Sequence, residues 1–98
     1  MGGAEFWDVD ILPSAERERR SLPPPEREEV RQITHELLAE DPLSAGKPLR
    51  NYNRRLKIRF GRGERYRLFY EVYPATRKVI VTKIELRGPG TYRGMDKW

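Results

Sequence analysis

The sequence contains no cysteine and a single histidine, His35. Without thiols the chain can form no disulfide and no thiolate metal site, and it has no cysteine nucleophile. One imidazole is too few for the usual zinc sites, which combine several histidine, cysteine or carboxylate ligands. We therefore expect a protein that uses no metal and no other cofactor.

Long apolar segments are missing too. No stretch approaches the ~20 consecutive apolar residues that a membrane-spanning helix requires. The N-terminus shows no basic segment followed by an apolar core, which is the pattern of a secretory signal. We expect a cytoplasmic protein with no membrane partner. Its 98 residues suffice for a single domain over residues 1–98, in which the tail 92–98 need not be ordered.

The net charge of +5 is divided unevenly along the chain. Residues 1–46 contain five arginines against eleven acidic residues, a net charge of −6. Residues 47–98 contain fifteen lysines and arginines against four acidic residues, a net charge of +11. Basic residues can simply solvate strand edges, but so strong an asymmetry favours a surface specialised for a polyanion.

Hydrophobic periodicity predicts the elements of the first half of the chain. Alternation predicts a strand over 6–12, and a charged segment predicts a helix over 15–21 that is capped by Ser14. Helical spacing predicts an amphipathic helix over 26–40. Its apolar stripe consists of Val30, Ile33, Leu37 and Leu38. The segment 43–53 has no period and is predicted to be a loop.

Three strands are predicted in the second half. The segments 56–60 and 68–72 alternate, and 77–87 is apolar on both faces, which is typical of an interior strand. On the last strand, alternation places Ile80, Thr82, Ile84 and Leu86 on one face and Val79, Val81, Lys83 and Arg87 on the other. The predicted fold class is α+β, in the order β-α-α-β-β-β, as an antiparallel sheet with two helices packed on one face.

Alternation also predicts which side chains share the face away from the helices. If Leu56, Ile58 and Phe60 pack on the helices, Lys57 and Arg59 point the opposite way. The same alternation assigns Arg67, Phe69 and Glu71 to that face. Arg87 joins them if Ile84 and Leu86 are in the core. Aromatic rings among cations suit stacking on unpaired RNA bases. We expect Glu71 to form a salt bridge with Arg67 or Arg59, and His35 to be a surface residue.

Several segments resemble, in order, the RelE/ParE superfamily of bacterial toxins. They are residues 23–42, 46–50, 56–60, 66–72 and 78–81, and the similarity spans about residues 6–92. The resemblance implies the RelE-like microbial RNase fold. RelE-like toxins cut messenger RNA in the A site of the 70S ribosome without a metal, and a cognate RelB-like antitoxin holds them inactive. These partners are therefore expected here.

The resemblance also implies the site residues. The catalytic set falls on Lys57, Arg59, Arg67, Arg87 and Tyr92. Further RNA contacts are expected from Lys47, Arg50, Arg54, Arg55 and Phe69. Two departures affect this assignment. The strand over 56–60 carries Lys57 and then Arg59 where RelE has two lysines, and the segment from Arg87 to Tyr92 is shorter than in RelE.

The chemistry of RNA cleavage suits these residue types. The 2′-hydroxyl attacks the adjacent phosphate, which Arg59 and Arg67 would hold. Neighbouring cations should lower the pKa of Lys57, because like charges disfavour its protonated form. Either Lys57 or Tyr92 then serves as the general base, and Arg87 stabilises or protonates the leaving oxygen.

Two other functions fit the same fold. One is a ParE-like inhibitor of DNA gyrase, which binds protein and cuts no RNA. The other is a catalytically inert module that binds only its antitoxin or RNA. The full basic set with Tyr92 favours the endonuclease, because ParE-type members generally lack that set.

Overall fold

A single mixed sheet organises the chain in the computed structural model, which describes residues 6–49 and 54–86. The sheet has five strands, which are β1 Asp8–Ile11, β2 Lys47–Pro48, β3 Arg55–Phe60, β4 Tyr66–Tyr73 and β5 Lys78–Leu86. Their order across the sheet is β1-β5-β4-β3-β2. The predicted α+β class, with helices on one face, is confirmed. The sheet is not purely antiparallel, however, because β1 runs parallel to β5. A parallel pair needs a long connection, and here the helices and the three strands β2, β3 and β4 lie between β1 and β5 in the chain.

Three helices lie between β1 and β2. The first, α1, is Pro13–Arg20. The second, α2, starts as Pro24–Gln32, passes through a π-helical segment Ile33–Leu37 and ends in the turn Leu38–Glu40. The third, α3, is the short Pro42–Ala45. Among the described residues, none of these helices is long and apolar enough to cross a bilayer.

The first helix begins earlier than the sequence predicts. Leu12 occupies the N-cap position and makes no side-chain capping bond, so the prediction that Ser14 caps α1 is wrong. Pro13 sits in the first turn instead. Proline suits this position because the N–H that it lacks would have no partner within the helix.

The π-helical segment changes which residues of α2 face the sheet. Val30, Ile33 and Leu38 are buried as predicted, but Leu37 is half exposed. A π turn closes its hydrogen bonds over five residues rather than four, and this rotates the positions that follow it. The inclusion of Leu37 in the apolar stripe is therefore wrong.

The core lies between the helices and one face of the sheet. Its buried residues from the strands are Leu56, Ile58, Phe60, Leu68, Tyr70, Val72, Val79, Val81 and Ile84. The helices and their connection contribute Ala15, Leu22, Val30, Ile33 and Leu38. Each large apolar side chain buried in this way stabilises the fold by about 1.5–3 kcal/mol.

A β-bulge changes which side chains of β5 share a face, compared with the prediction. Phe69 lies opposite Lys83, whereas Tyr70 lies opposite Val81, so Thr82 has no counterpart on β4. The Thr82 hydroxyl donates to the Phe69 carbonyl at 3.3 Å. Because a bulge shifts the alternation by one residue, the predicted grouping of Ile80, Thr82, Ile84 and Leu86 is wrong. The interior position predicted for β5 is confirmed.

Two short elements occupy part of the predicted loop 43–53. Pro42 starts α3, whose N-cap Asp41 accepts a bond from the Ser44 N–H at 3.4 Å. β2 then pairs with β3 at the outer edge of the sheet. The hydrophobic pattern could not reveal them, because elements of four and two residues are too short to show a period.

Candidate RNA-binding surface

The sheet face that points away from the helices, called here the open face, carries its side chains in rows. The register across β3, β4 and β5 gives the rows Arg59–Arg67–Glu85, Lys57–Phe69–Lys83 and Arg55–Glu71–Ile80. Successive rows lie roughly 7 Å apart, since two strand residues separate them. The prediction that Lys57, Arg59 and Arg67 share one face is confirmed.

The three predicted catalytic cations of the described region differ in burial. Arg59 is exposed and Lys57 is half-buried. Arg67, on the central strand β4, is only 1% exposed. A ligand on the open face would therefore meet Arg59 and Lys57 first, and Arg67 would lie beneath it.

Phe69 occupies the open face as parity predicts, but its ring is fully buried. A base can stack only on a ring that has an accessible surface. In this conformation Phe69 packs beside the cations. The RNA contact predicted for it requires a conformation in which the ring is uncovered.

The strand β2 adds a further cation to this region. Lys47 lies opposite Lys57 in the antiparallel register and is itself exposed. The two lysines line a cleft of about 230 Å³ together with Arg59 and Glu64. Lys47 is thus placed beside the predicted catalytic row rather than in a distant loop.

A buried hydroxyl fixes the approach of β2 to β3. The Tyr70 hydroxyl donates to the Pro42 carbonyl at 2.6 Å, and burial raises the pKa of this phenol well above its ordinary value. A Cβ on Gly46 would come within 2.6 Å of both the Lys57 carbonyl and the Tyr70 hydroxyl. Glycine at position 46 therefore allows the backbone approach that brings Lys47 next to Lys57.

Two carboxylates accompany the cations of the open face. Glu71 accepts from Arg55 Nε at 3.0 Å and from the Tyr73 hydroxyl at 2.6 Å. The expected salt bridge of Glu71 with Arg67 or Arg59 is wrong, because the register places Arg55 directly opposite. Burial raises the pKa of the second carboxyl, Glu85, against the opposing effect of Lys83, whose Nζ lies 3.6 Å away.

An aromatic residue that the sequence predictions did not include, Tyr73, lies at the far end of this face. The guanidinium carbon of Arg54 lies 5.3 Å from the centroid of the Tyr73 ring. Arg54 was predicted to contact RNA, whereas Tyr73 was not. The parity that links Arg67, Phe69 and Glu71 also extends to Tyr73 and would have found it. Lys83 lies opposite Phe69 in the register, and its Nζ is 3.2 Å from Glu18 Oε2 of α1 and 3.6 Å from Glu85 Oε1. The predicted grouping of Lys83 with Val79 and Val81 is wrong, because those two residues are in the core.

Three predicted site residues, Arg50, Arg87 and Tyr92, lie outside the described residues. His35 is exposed on α2, as predicted. Within residues 6–49 and 54–86, no group of histidine and acidic side chains is arranged to hold a metal ion.

Solved structures similar to this chain are toxins and toxin–antitoxin complexes. The RelBE2 toxin–antitoxin complex from Mycobacterium tuberculosis contains a chain that is 28% identical, with a TM-score of 0.73, over 84% of this chain and 92% of that one. The isolated E. coli RelE toxin is 26% identical, with a TM-score of 0.70, over 93% and 97% of the two chains. The archaeal RelE–RelB complex from Pyrococcus horikoshii OT3 shares the fold. Its matching chain is 19% identical, with a TM-score of 0.70, over 85% of this chain and 97% of that one. No protein-family model and no curated protein matches the sequence.

Proposed function

Because this chain belongs to the RelE-like toxin superfamily, we propose that it is the toxin of a toxin–antitoxin pair and an mRNA endonuclease that cuts in the ribosomal A site. The observation that supports this most is the grouping of Lys57, Arg59 and Arg67 on one sheet face. A further lysine, Lys47, stands beside them across the cleft.

In this proposal the RNA supplies its own nucleophile. The 2′-oxygen forms a bond to the adjacent phosphorus, and the bond from phosphorus to the 5′-oxygen of the next nucleotide breaks. Arg59 and Arg67 stabilise the charge that develops on the phosphate, an effect typically worth about 10²–10³ in rate for a well-placed donor. Lys57 or Tyr92 accepts the proton of the 2′-hydroxyl. The leaving 5′-oxygen takes up a proton, and Arg87 stabilises its charge or supplies that proton.

Dependence on the ribosome follows from the weakness of these groups as acids and bases. Lysine and arginine provide charge more readily than proton transfer at neutral pH. Much of the rate must then come from holding the 2′-hydroxyl in line with the phosphate. A message fixed in the A site would be held in that way, and such a protein would work in the cytoplasm.

The proposed inhibitor is a RelB-like antitoxin. The similar E. coli and Pyrococcus toxins have been solved together with RelB. The half of this chain from residue 47 has a net charge of +11. An acidic antitoxin segment would complement that charge and associate rapidly with it.

The proposal is tested by primer extension on a defined message in a reconstituted translation system. We expect discrete A-site cuts by the wild type and a loss of about 10²–10³-fold in rate for Arg59→Ala. Lys57→Ala should show a comparable loss. The matched control is Arg20→Ala, which removes an exposed arginine from α1 on the opposite side of the sheet.

Arg67 needs a separate design, because its burial makes Arg67→Ala a threat to folding. Arg67→Lys keeps the positive charge but loses the planar fork that binds phosphate oxygens. A variant that melts like the wild type and cuts poorly would support the role of Arg67. Absence of cuts by the wild type, with DNA breaks in the presence of gyrase, would refute the endonuclease and support a gyrase inhibitor.

A further inference from the structure

The far end of the open face carries a group of side chains that the proposed cleavage reaction does not use. Tyr73 is half-buried at the end of β4, and its ring lies 5.3 Å from the guanidinium carbon of the exposed Arg54. The Tyr73 hydroxyl donates to Glu71 Oε1 at 2.6 Å. Arg55 Nε donates to the other oxygen of Glu71 at 3.0 Å. We call these four residues the Tyr73 patch.

We propose that the Tyr73 patch binds a nucleotide of single-stranded RNA that flanks the cleaved position. In this site a base stacks on the Tyr73 ring, and the adjoining phosphate is bound by Arg54. The inference rests on the proposed endonuclease function and extends the same surface beyond the reacting phosphate.

The position of the patch supports this assignment. Tyr73 is four residues beyond Phe69 on β4 and therefore about 13 Å from the row of Lys57 along the strand. The side chains of both rows point to the same face, because the separation is an even number of residues. A single RNA strand that follows β4 would pass Lys57 and then reach Tyr73.

The net charge of the patch favours a polyanionic ligand. An acidic protein segment would not need the Tyr73 ring, so RNA accounts for the patch better. Arg55 neutralises Glu71 through its direct bond, and this leaves the charge of Arg54 in excess. Aromatic rings and guanidinium planes are the two surfaces on which unpaired bases stack. Both occur here side by side.

The hydrogen bonds of the patch also hold it ready for a ligand. The Arg55–Glu71 ion pair is part-buried, and it fixes the carboxylate that accepts from the Tyr73 hydroxyl. The bond to Glu71 restrains the orientation of the Tyr73 ring, and a restrained ring loses less conformational freedom when a base stacks on it.

The test measures the affinity of the protein for programmed ribosomes with an unoccupied A site. The message carries a 2′-deoxynucleotide at the cleaved position, which removes the nucleophile and permits equilibrium binding. We expect Tyr73→Ala to weaken binding about five- to a hundredfold, the range for one lost base stack. Tyr73→Phe, which keeps the ring, should stay within about threefold of the wild type.

A scan with abasic nucleotides identifies the base. In the wild type, removing the base at one flanking position should weaken binding as much as Tyr73→Ala does. Tyr73→Ala itself should be insensitive to that change. Arg54→Ala should remove about one phosphate contact. The slope of the logarithm of the affinity against the logarithm of the salt concentration should then become shallower by roughly 0.7. Arg20→Ala again serves as the charge-matched control.

The outcomes separate this inference from the function on which it rests. If the wild type makes no A-site cuts on an all-ribose message, the endonuclease proposal fails. If it cuts and Tyr73→Ala binds both intact and abasic messages like the wild type, only the Tyr73 patch fails as an RNA site. If Tyr73→Ala weakens antitoxin binding and leaves message binding unchanged, the patch is a protein interface and the inference is wrong.

Discussion

The two faces of the sheet are built from the same strands but differ in almost every physical respect. The face toward the helices is apolar and buried, and its phenol Tyr70 has its hydroxyl bonded to Pro42. The open face carries cations in rows, with acidic partners such as Glu71. Because alternate residues of one strand serve different faces, substitutions on one face should leave the property of the other largely intact.

The largest expected effect on stability is on the helix-facing side. Leu68 on β4 is fully buried, and Leu68→Ala should lower the free energy of unfolding by about 2–5 kcal/mol. Arg59→Ala, on the open face of the neighbouring strand, should change it by no more than about 0.5 kcal/mol. Urea denaturation of both variants measures the contrast. Equal destabilisation would show that the two faces are not independent.

Gly46→Ala tests the edge where the two faces meet. The added Cβ would lie 2.6 Å from the Lys57 carbonyl, so the backbone must move apart. Overpacking of this kind costs about 1–3 kcal/mol. We expect a lower free energy of unfolding and slower cleavage, because Lys47 would shift relative to Lys57.

The control for this variant is Gly63→Ala. Gly63 has a φ of +69°, but the nearest neighbour of the new Cβ would be Arg65 at 3.6 Å, an ordinary van der Waals distance. Its cost should be backbone strain of roughly 1 kcal/mol, with the cleft unchanged. If Gly46→Ala cut RNA as fast as Gly63→Ala, the close approach at Gly46 would not matter for the cleft.

The sequence alone predicts the fold class and the cationic face, because both follow from alternation that runs unbroken along β3 and β4. It fails on β5, where one bulged residue, Thr82, exchanges the faces. It also fails at Leu37, where a π turn changes the helical period. Local irregularities of one residue are set by tertiary packing, and no propensity or period encodes them.

The candidate site was predictable to a similar degree. Parity placed Lys57, Arg59 and Arg67 together without any structure. Their different burial was not predictable, because it depends on which strand is central and on what covers it. The contact of Lys47 with Lys57 depends on the two-residue strand β2, and no pattern can show so short an element.

Tyr70→Phe tests the difference between the two faces of the sheet, because it removes a hydroxyl from the apolar face toward the helices. The variant loses the 2.6 Å bond to the Pro42 carbonyl and leaves a buried acceptor without its donor, which should cost about 1–2 kcal/mol. Tyr73→Phe is the matched change on the open face. Its hydroxyl bond to Glu71 is only part-buried, so the expected cost is about 0.5 kcal/mol or less. Thermal denaturation at neutral pH compares the two.

The smallest expected effect concerns the acids of the open face and depends on pH. Burial raises the pKa of Glu85 above the 4.5 of an ordinary glutamate, so the folded state favours the protonated carboxyl. The stabilisation of the fold by the protonated Glu85 carboxyl is therefore fully present below pH 4.5. It is lost as the pH rises through the pKa that Glu85 has in the folded state. Glu85→Gln is neutral at every pH. It should be slightly more stable than the wild type at pH 8, and the difference should vanish near pH 4.

Glu71→Gln provides the matched control on the same face. Glu71 accepts bonds from Arg55 and Tyr73, so its replacement should bring no gain at pH 8. Melting temperatures of the three proteins between pH 4 and pH 8 decide the question. If Glu85→Gln were less stable than the wild type at pH 8, Lys83 and Arg67 would stabilise the carboxylate more than burial penalises it. The open face would then contribute to stability through its charges, and its separation from the helix-facing side would be incomplete.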